Sequence, residues 1–319
     1  MKIKVLSKGL EVPGGFFEYS PGVFFTSEAS CRDYDWLVCY DELPAAENLA
    51  CSQTRTILAT CEPMSIKCYS RAYAAQFGHL LTNRPEGNPP HVHYHLGRGY
   101  YKWFCDKTID VAKRPVGPKT KTISAVCSSK QMKHTSHHAR FKLISGLAQS
   151  IPDFDWYGRG VRSFGRKFEV MDPYRYHVAV ENHIAPHHWT EKLSDAFLCE
   201  CLPFYAGDPA ISECFPSESL IPIPIDDPHA ASRIIAEAIA ADEYTKRREA
   251  ILEAKRRIIE KYNFWQQVLE VIHESEAESL LPEDFARVTL MPRKELRRRN
   301  LSAALEEGWF HFKQYIGAF

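Results

Sequence analysis

The chain has 319 residues, of which 45% are hydrophobic and 25% charged, a composition typical of a globular protein with a substantial core. This length exceeds the usual size of a single domain, so we expect two domains. Lys and Arg together number 40, as do Asp and Glu, and this balance argues against a nucleic-acid-binding protein that works through a global basic field.

The N-terminal run MKIKVLSKGLEV is typical of a first strand, because no apolar segment follows it as in a signal peptide. No run reaches the roughly 18 apolar residues of a membrane span. The ten cysteines form no CxxC pair, and several lie in apolar runs such as LVCY (37–40), where buried reduced thiols are expected. We therefore expect a cytoplasmic protein with reduced cysteines.

The first hundred residues contain apolar runs of strand length separated by turn residues. These predicted strands span 2–6, 22–26, 35–40, 55–61, 79–82 and 91–96. The stretch 103–122 is polar and lysine-rich with two prolines, which is typical of a linker. We accordingly predict an N-terminal domain over 1–115 and a second domain over 120–290, followed by a C-terminal helix over 291–319.

In the second domain, predicted strands and helices alternate. The strands span 122–129, 155–158, 174–182, 202–207 and 219–225, and helices span 139–151 and 190–200. Such alternation predicts parallel βαβ units of the Rossmann type. From residue 228 the chain is predicted to be helical, with amphipathic segments at 228–241, 242–262 and 263–275 and a basic-then-aromatic helix from Pro292 to Phe319.

The stretch from Tyr174 to Gly207 carries the strongest chemical signal. A buried strand ends at Glu181-Asn182, and after seven residues a helix begins near Thr190. Because ligands bind at the carboxyl ends of parallel strands, the backbone N–H groups of a helix capped by Thr190 would suit an anionic pyrophosphate. Lys192 adds a positive charge there, and Glu191 offers an acceptor for a ribose diol. The alternative is an ordinary capped helix with a solvated Glu-Lys pair.

The same stretch resembles the signature of the α-1,3/4-fucosyltransferases, glycosyltransferase family 10. The matching positions are Glu181-Asn182, Thr190-Glu191-Lys192, Asp195-Ala196-Phe197, Pro203, Tyr205, Gly207 and Pro209, and the spacing from Glu181 to Lys192 is that of the family. The run SLIPI (219–223) is similar to a further strand of the family.

The resemblance implies an α/β GT-B-like architecture, with two Rossmann-like lobes, a donor cleft between them and a helical tail. It implies inverting transfer of fucose from GDP-fucose to a glycan hydroxyl, with no metal or other cofactor required for the chemistry. The acceptor would be a glycan or a lipid-linked oligosaccharide.

The resemblance also implies roles for single residues. Glu62, in RTILATCEPMS (55–65), matches the glutamate proposed as the catalytic base. Ser128 ends the first strand of the donor lobe, and Arg140 would hold the donor phosphates with its bidentate fork. The remaining donor-binding candidates are Glu181 and Asn182 for the sugar or phosphate, Thr190, Glu191 and Lys192, and His188, which replaces a tyrosine of the family.

Several positions depart from the family pattern, and they leave alternatives open. His183, Val180 and Ala206 replace a serine, an aromatic residue and a tryptophan, so another nucleotide sugar remains an alternative donor. The histidines at 91, 93 and 95 or at 183, 187 and 188 suit a metal-dependent hydrolase by residue type. A third alternative is a sugar-nucleotide-binding scaffold without catalysis.

The C-terminal tail is basic and then aromatic, and it has two interpretations. Phe312, Tyr315, Ile316 and Phe319 share one helical stripe, which favours packing against the N-terminal lobe. The basic residues followed by aromatics would also suit peripheral contact with an anionic membrane, at its cytoplasmic face.

Overall fold

The computed structural model describes residues 1–84, 89–100, 112–130, 135–277 and 288–317. The chain forms two compact units, of which the first contains Met1–Arg98 and Phe264–Phe319 and the second contains Gly99–Asn263. The sequence suggests boundaries at 115–120 and 290, whereas the structure has them at 98/99 and 263/264. Residues 264–277 and 288–290 thus belong with the first unit. Much of the linker expected at 103–122 lies outside the described residues.

The first unit is built on a seven-stranded sheet in the order β2-β3-β1-β4-β6-β7-β8. Its strands are β1 (Lys2–Ser7), β2 (Phe16–Ser20), β3 (Val23–Thr26), β4 (Trp36–Tyr40), β6 (Thr56–Ala59), β7 (His79–Thr82) and β8 (His93–Leu96). All neighbouring strands are parallel except β2 and β3. Every residue of β4, β6 and β7 is buried, as expected for the central strands of a parallel sheet.

Short elements and C-terminal helices complete the first unit. They are β5 (Glu47–Asn48), α1 (Arg71–Ala74), α7 (Phe264–Ala277), β14 (Thr289–Leu290), α8 (Arg293–Arg299) and α9 (Leu301–Ile316). β5 and β14 pair in antiparallel fashion.

The second unit contains a five-stranded sheet in the order β10-β9-β11-β12-β13, in which all neighbours are parallel. The strands are β9 (Lys121–Val126), β10 (Phe154–Tyr157), β11 (Tyr174–Val180), β12 (Leu202–Ala206) and β13 (Ile221–Pro222). The helices are α2 (His137–Ser150), α3 (Glu191–Leu198), α4 (Pro228–Ala240), α5 (Glu243–Lys246) and α6 (Arg248–Glu260). The prediction of two Rossmann-like α/β units is therefore confirmed.

Three elements differ from the sequence prediction for local reasons. β13 pairs over only two residues of the predicted run 219–225, because Pro222 and Pro224 have no N–H to donate to a ladder. The helix predicted over 242–262 is interrupted at Arg247. The tail forms two helices, because Asn300 has extended backbone and its side chain accepts a hydrogen bond from the Ala303 N–H at 3.0 Å, which starts a new helix.

Helix α9 packs within the first unit through a face that the sequence analysis did not select. Ala303, Glu307 and Phe310 are buried, and the Gln314 side-chain amide donates to the Ser65 carbonyl at 3.0 Å. Phe312, Tyr315 and Ile316 are exposed, so the predicted packing stripe is wrong, and Phe319 lies outside the described residues. The opposite face of α9 packs instead, because the buried Glu307 accepts hydrogen bonds from Arg293 and Arg297 at 2.8 Å each. In the parts of the chain that are described, no helix combines the length and apolar character needed to cross a membrane.

Candidate donor site

Most of the candidate residues of the second unit lie where its central strands end. Ser128 follows β9, Glu181 and Asn182 follow β11, and Gly207 follows β12. The Asn182 carbonyl accepts a hydrogen bond from the Ser136 N–H at 3.0 Å, which joins the loop after β11 to the start of α2. The motif therefore occupies the carboxyl edge of a parallel sheet, where ligands of such folds bind.

Glu181 is fully buried at this edge. Its Oε1 accepts hydrogen bonds from the Thr190 N–H at 2.8 Å and the Thr190 hydroxyl at 2.9 Å, and Lys192 Nζ lies 3.3 Å from Oε2. Burial raises the pKa of Glu181, and the charge of Lys192 opposes that rise. In this structure Glu181 contacts Thr190 and Lys192. Its expected role in positioning the sugar or phosphate stays a prediction.

Lys192 and Glu191 begin α3 after the N-cap Thr190. Lys192 Nζ donates to the Thr190 hydroxyl at 2.8 Å and to Glu191 Oε1 at 3.2 Å. Burial alone would lower the pKa of Lys192, but Glu181 and Glu191 outweigh it and raise that pKa. Burial alone would raise the pKa of Glu191, but the charge of Lys192 outweighs this effect and the pKa is lowered to about 2. The lysine is therefore a charged group at neutral pH.

Arg140 brings a second cation to the same place. It is buried on α2, and its Nε has no hydrogen-bond partner among the residues described. The positive charge of Arg140 acts to lower the pKa of Lys192. Burial raises the pKa of the Cys127 thiol, and the charges of Arg140 and Lys192 both oppose that increase. Two cations that repel each other beside the end of β9 are suited to an anion with several oxygens, such as a diphosphate.

The loop between β11 and α3 is anchored by a residue that the sequence analysis did not select. Asp208 Oδ1 accepts a hydrogen bond from the His187 N–H at 2.8 Å, and the Asp208 N–H donates to the Tyr205 hydroxyl at 2.9 Å. His187 has a left-handed backbone, with φ of 61°. The only sequence signal for Asp208 is its place directly after the motif glycine, Gly207.

Gly207 has no room for a side chain. A Cβ at this position would lie 2.2 Å from the Tyr205 hydroxyl oxygen and 2.8 Å from Glu181 Cγ. The motif glycine therefore lets the Tyr205 ring and the Glu181 side chain pack against the chain after β12.

His188 and Trp189 fill the interior of the same loop. His188 is buried with its ring 5.2 Å from that of His183, and Trp189 is fully buried. The Trp189 ring covers Gly99, where a Cβ would lie 1.9 Å from the ring. For His188 the structure thus shows a packing contact within the loop, and Ser128 is half-buried at the end of β9.

Glu62 belongs to the first unit. It lies in the loop that follows β6, also at the carboxyl edge of a parallel sheet, and its side chain is exposed. The structure therefore places Glu62 at a strand end, and its role as the catalytic base stays a prediction.

His79 and His95 of the first unit form a hydrogen-bonded chain with Glu274. His79 Nδ1 lies 3.1 Å from His95 Nε2, and His95 Nδ1 lies 3.0 Å from Glu274 Oε2. Within the described ranges, no three His, Cys, Asp or Glu side chains are grouped so that they could hold a metal ion. The hydrolase alternative thus gains no support from His91, His93 and His95 or from His183, His187 and His188.

The second unit is thus a parallel α/β sheet with the cations Arg140 and Lys192 near its carboxyl edge, and in open α/β folds ligands bind at that edge. Residues 116–281 match the family model for glycosyltransferase family 10 (fucosyltransferase), C-terminal part. The chain belongs to this family and is a glycosyltransferase. The resemblance seen in the sequence is confirmed, and the alternative of a different enzyme class is set aside.

Solved structures with similar architecture include other glycosyltransferases. An α1,3-fucosyltransferase crystallised with GDP-fucose is 14% identical, with 89% of this chain and 92% of that chain covered and a TM-score of 0.48. HepE of Anabaena in complex with UDP-glucose is 12% identical, with 76% and 79% covered and a TM-score of 0.47. No curated protein matches the chain in sequence.

Proposed function

We propose that the enzyme transfers fucose from GDP-fucose to a hydroxyl of a glycan acceptor, with inversion at the anomeric carbon. Membership of the fucosyltransferase family supports the reaction, and the two positive charges of Arg140 and Lys192 support a diphosphate donor. A hydroxyl oxygen of the acceptor attacks the anomeric carbon while the bond from that carbon to the diphosphate oxygen breaks. GDP leaves with an added negative charge, and the acceptor proton passes to a base.

The residues of the second unit would stabilise the departing GDP. Arg140 and Lys192 are the proposed phosphate ligands, because fixed cations stabilise charge that develops on a leaving group. Glu191 would accept hydrogen bonds from the ribose, and Asn182 and His188 would contact the sugar or phosphate. Glu181 would act through Lys192. Because the protein supplies the positive charge itself, we propose that no metal is needed for the chemistry.

Glu62 of the first unit is the proposed base. A carboxylate that takes a proton from the acceptor in the transition state contributes typically about 10²–10⁴-fold to a rate. Replacement of Glu62 by Gln should therefore lower turnover by that order and leave GDP affinity unchanged. The rate to measure is GDP release from GDP-fucose, with a panel of oligosaccharides or with water as acceptor.

The donor specificity is tested by thermal unfolding with GDP, UDP, ADP or CMP. A ligand present at 100 times its dissociation constant stabilises a protein by about 2.7 kcal/mol, so GDP should raise Tm most. A larger shift with UDP would contradict fucose transfer and leave another nucleotide sugar as donor. Loss of GDP release on treatment with EDTA would contradict the metal-independent mechanism.

We also propose that the outer face of α9 makes peripheral contact with an anionic membrane at its cytoplasmic side. Leu301, Leu305, Trp309, Phe312 and Ile316 recur at intervals of three and four residues, and all are exposed. The Trp309 and Phe312 rings stack 5.3 Å apart on this face. An apolar helical stripe of this kind is suited to the interfacial region of a bilayer.

Basic residues beside this face make the charge complementary to anionic lipid. Lys294, Arg298 and Arg299 are exposed on α8, and Lys313 lies over the Trp309 ring at 5.8 Å. Such contact would bring the enzyme to a lipid-linked oligosaccharide acceptor. The protein should sediment with vesicles that contain phosphatidylserine and less with phosphatidylcholine alone, and salt should weaken binding.

A double variant tests which surface binds the vesicles. Trp309→Ala/Phe312→Ala should abolish sedimentation, whereas Phe16→Ala, at an exposed aromatic residue of β2, should not. Equal sedimentation of both variants, or none with the native chain at low salt, would contradict membrane contact. A concentration-dependent dimer lost in the double variant would show that a second copy covers this face instead.

A further inference from the structure

The loop that carries Glu62 is held by three neighbouring strand ends of the first unit. Asp41 follows β4, Cys61 and Glu62 follow β6 after Thr60, and Arg84 follows β7. β4, β6 and β7 are parallel neighbours, so these residues share one edge of the sheet. A side chain at this edge is therefore able to set the position of the Glu62 backbone.

The Tyr69 hydroxyl makes three hydrogen bonds at this edge of the sheet. The hydroxyl oxygen accepts hydrogen bonds from the Cys61 N–H at 3.2 Å and the Glu62 N–H at 3.3 Å, and the hydroxyl donates to Asp41 Oδ1. A phenol has one donor and two acceptor sites, and all three are engaged. Burial raises the pKa of Tyr69 well above its usual range, so the proton remains available for Asp41.

Asp41 is itself fixed in place. Lys67 Nζ lies 2.9 Å from its Oδ2, and the Asp41 N–H donates to the Ala59 carbonyl at 2.8 Å. Its backbone is left-handed, with φ of 69°, a conformation that Asp adopts more readily than most residues with a side chain.

Arg84 holds the other side of the same peptide segment. Its Nη1 donates to the Lys67 carbonyl at 3.0 Å and to the Glu62 carbonyl at 3.4 Å, and its guanidinium lies 5.1 Å from the centre of the Tyr69 ring. The N–H and the carbonyl of Glu62 are thus both hydrogen-bonded, to Tyr69 and to Arg84 respectively. The backbone of Glu62 is fixed while its carboxylate is exposed.

We propose that Tyr69, oriented by Asp41, is a positioning residue for Glu62 and sets the place of its carboxylate for proton transfer. This inference rests on the proposed role of Glu62 as the base. Catalytic groups are effective only within narrow limits of position, and a displacement of about 1 Å can cost on the order of a hundredfold in rate. Tyr69 acts through its hydrogen bond with the Glu62 backbone.

Tyr69→Phe removes only the hydroxyl and is the primary test. GDP release from GDP-fucose should fall about tenfold to a hundredfold in kcat, with the KM for GDP-fucose unchanged. Amide hydrogen exchange at Cys61 and Glu62 should accelerate at least tenfold, because both N–H groups lose their acceptor. Tyr73→Phe is the matched control, since the Tyr73 hydroxyl accepts the Leu43 N–H at 3.0 Å. In Tyr73→Phe, amide hydrogen exchange should accelerate at Leu43 and not at Glu62.

A double-mutant cycle separates positioning from a general structural effect. In the Glu62→Gln background, Tyr69→Phe should cause no further loss of kcat, because the group it positions is already gone. An equal loss in both backgrounds, or unchanged exchange at residues 61 and 62, would overturn the proposal. If Glu62→Gln alone left kcat unchanged, the proposed base would be wrong, whereas the exchange experiment would still decide whether Tyr69 fixes the loop.

Arg84→Met provides a second variant should Tyr69→Phe not fold. It retains an unbranched side chain of similar length and removes the guanidinium from the Glu62 carbonyl. We expect the same pattern, a lower kcat at constant KM for GDP-fucose and no further loss in the Glu62→Gln background. An additive loss with Glu62→Gln would count against the proposal here as well.

Discussion

Lys192 Nζ lies 3.3 Å from Oε2 of Glu181, a carboxylate that is fully buried at the end of β11. The lysine is the counter-ion of this buried acid and also one of two cations that face the proposed phosphate site. These two functions of Lys192 can be separated by experiment.

Lys192→Met should lower both stability and GDP affinity. Removing one partner of a buried ion pair costs about 3–5 kcal/mol, because the other charge is left uncompensated. A charge-assisted hydrogen bond is worth about 1.5–3 kcal/mol, so GDP affinity should fall roughly tenfold to a hundredfold. The double variant Lys192→Met/Glu181→Gln should regain much of the stability but not the affinity. Urea unfolding and calorimetric titration with GDP measure the two effects.

Lys255→Met is the matched control for Lys192→Met. Lys255 Nζ pairs with Glu200 Oε1 at 2.8 Å in the same unit, and both side chains are largely buried. This variant should lose stability and keep its GDP affinity. Weaker GDP binding by Lys255→Met, or unchanged binding by Lys192→Met, would show that the affinity loss does not come from a phosphate contact.

Arg140→Met should lose GDP binding without losing stability. The Nε of Arg140 is buried without a hydrogen-bond partner in the described structure, and its charge opposes that of Lys192. Its removal relieves a like-charge repulsion, so the Tm without ligand should stay the same or rise. The Tm increase caused by GDP should largely disappear. Lys142→Met removes an exposed charge from the same helix and should keep the GDP-induced increase; a clear loss of stability in Arg140→Met would contradict this account.

Gly207→Ala should destabilise the second unit, because a Cβ there would lie 2.2 Å from the Tyr205 hydroxyl oxygen. Overpacking of this kind typically costs about 1–3 kcal/mol. Gly117→Ala is the control, since no atom lies within 4 Å of a Cβ at that position. Urea unfolding of both variants measures the difference, and equal stability of the two would mean that the Tyr205 and Glu181 side chains move aside at little cost.

The buried His177 should make the second unit sensitive to acid. Burial lowers the pKa of His177 to about 3 from its usual value near 6.5, and its Nδ1 lies 2.9 Å from the Ser124 hydroxyl. Between those two pH values the unfolded chain binds a proton that the folded chain excludes. The stability contributed by the neutral histidine is therefore complete above pH 6.5 and is lost as pH falls toward 3.

His177→Gln should flatten this dependence. Between about pH 6.5 and 4.5, Tm should fall less steeply in the variant than in the native chain, because the difference in bound protons is removed. His138→Gln, at an exposed histidine of α2, should leave the slope as it is. A slope that is unchanged in His177→Gln would mean that other groups account for the acid sensitivity.

Local pattern was sufficient for the elements that position the site. β11 and α3 were predicted within two residues of their observed ends, because a continuous apolar run and a capping threonine are local signals. β2, β5 and β14 were missed, since short edge strands depend on a partner elsewhere in the chain. The packing face of α9 was predicted wrongly for the same reason: the partners of Glu307 are Arg293 and Arg297 on another helix.

By itself the sequence determined the α/β class, the family and the motif from Glu181 to Gly207. The motif residues lie in one continuous stretch of the chain, so their spacing along one strand and one helix follows directly from the sequence. Only the tertiary structure decided that Glu181 is buried and pairs with Lys192, that the charge of Arg140 acts on that lysine, and that Asp208 and Tyr69 bind the backbone of neighbouring loops. Those relationships join residues of different strands, helices and loops. A hydrogen bond across strand ends requires the register and burial of the whole sheet, which local pattern does not contain.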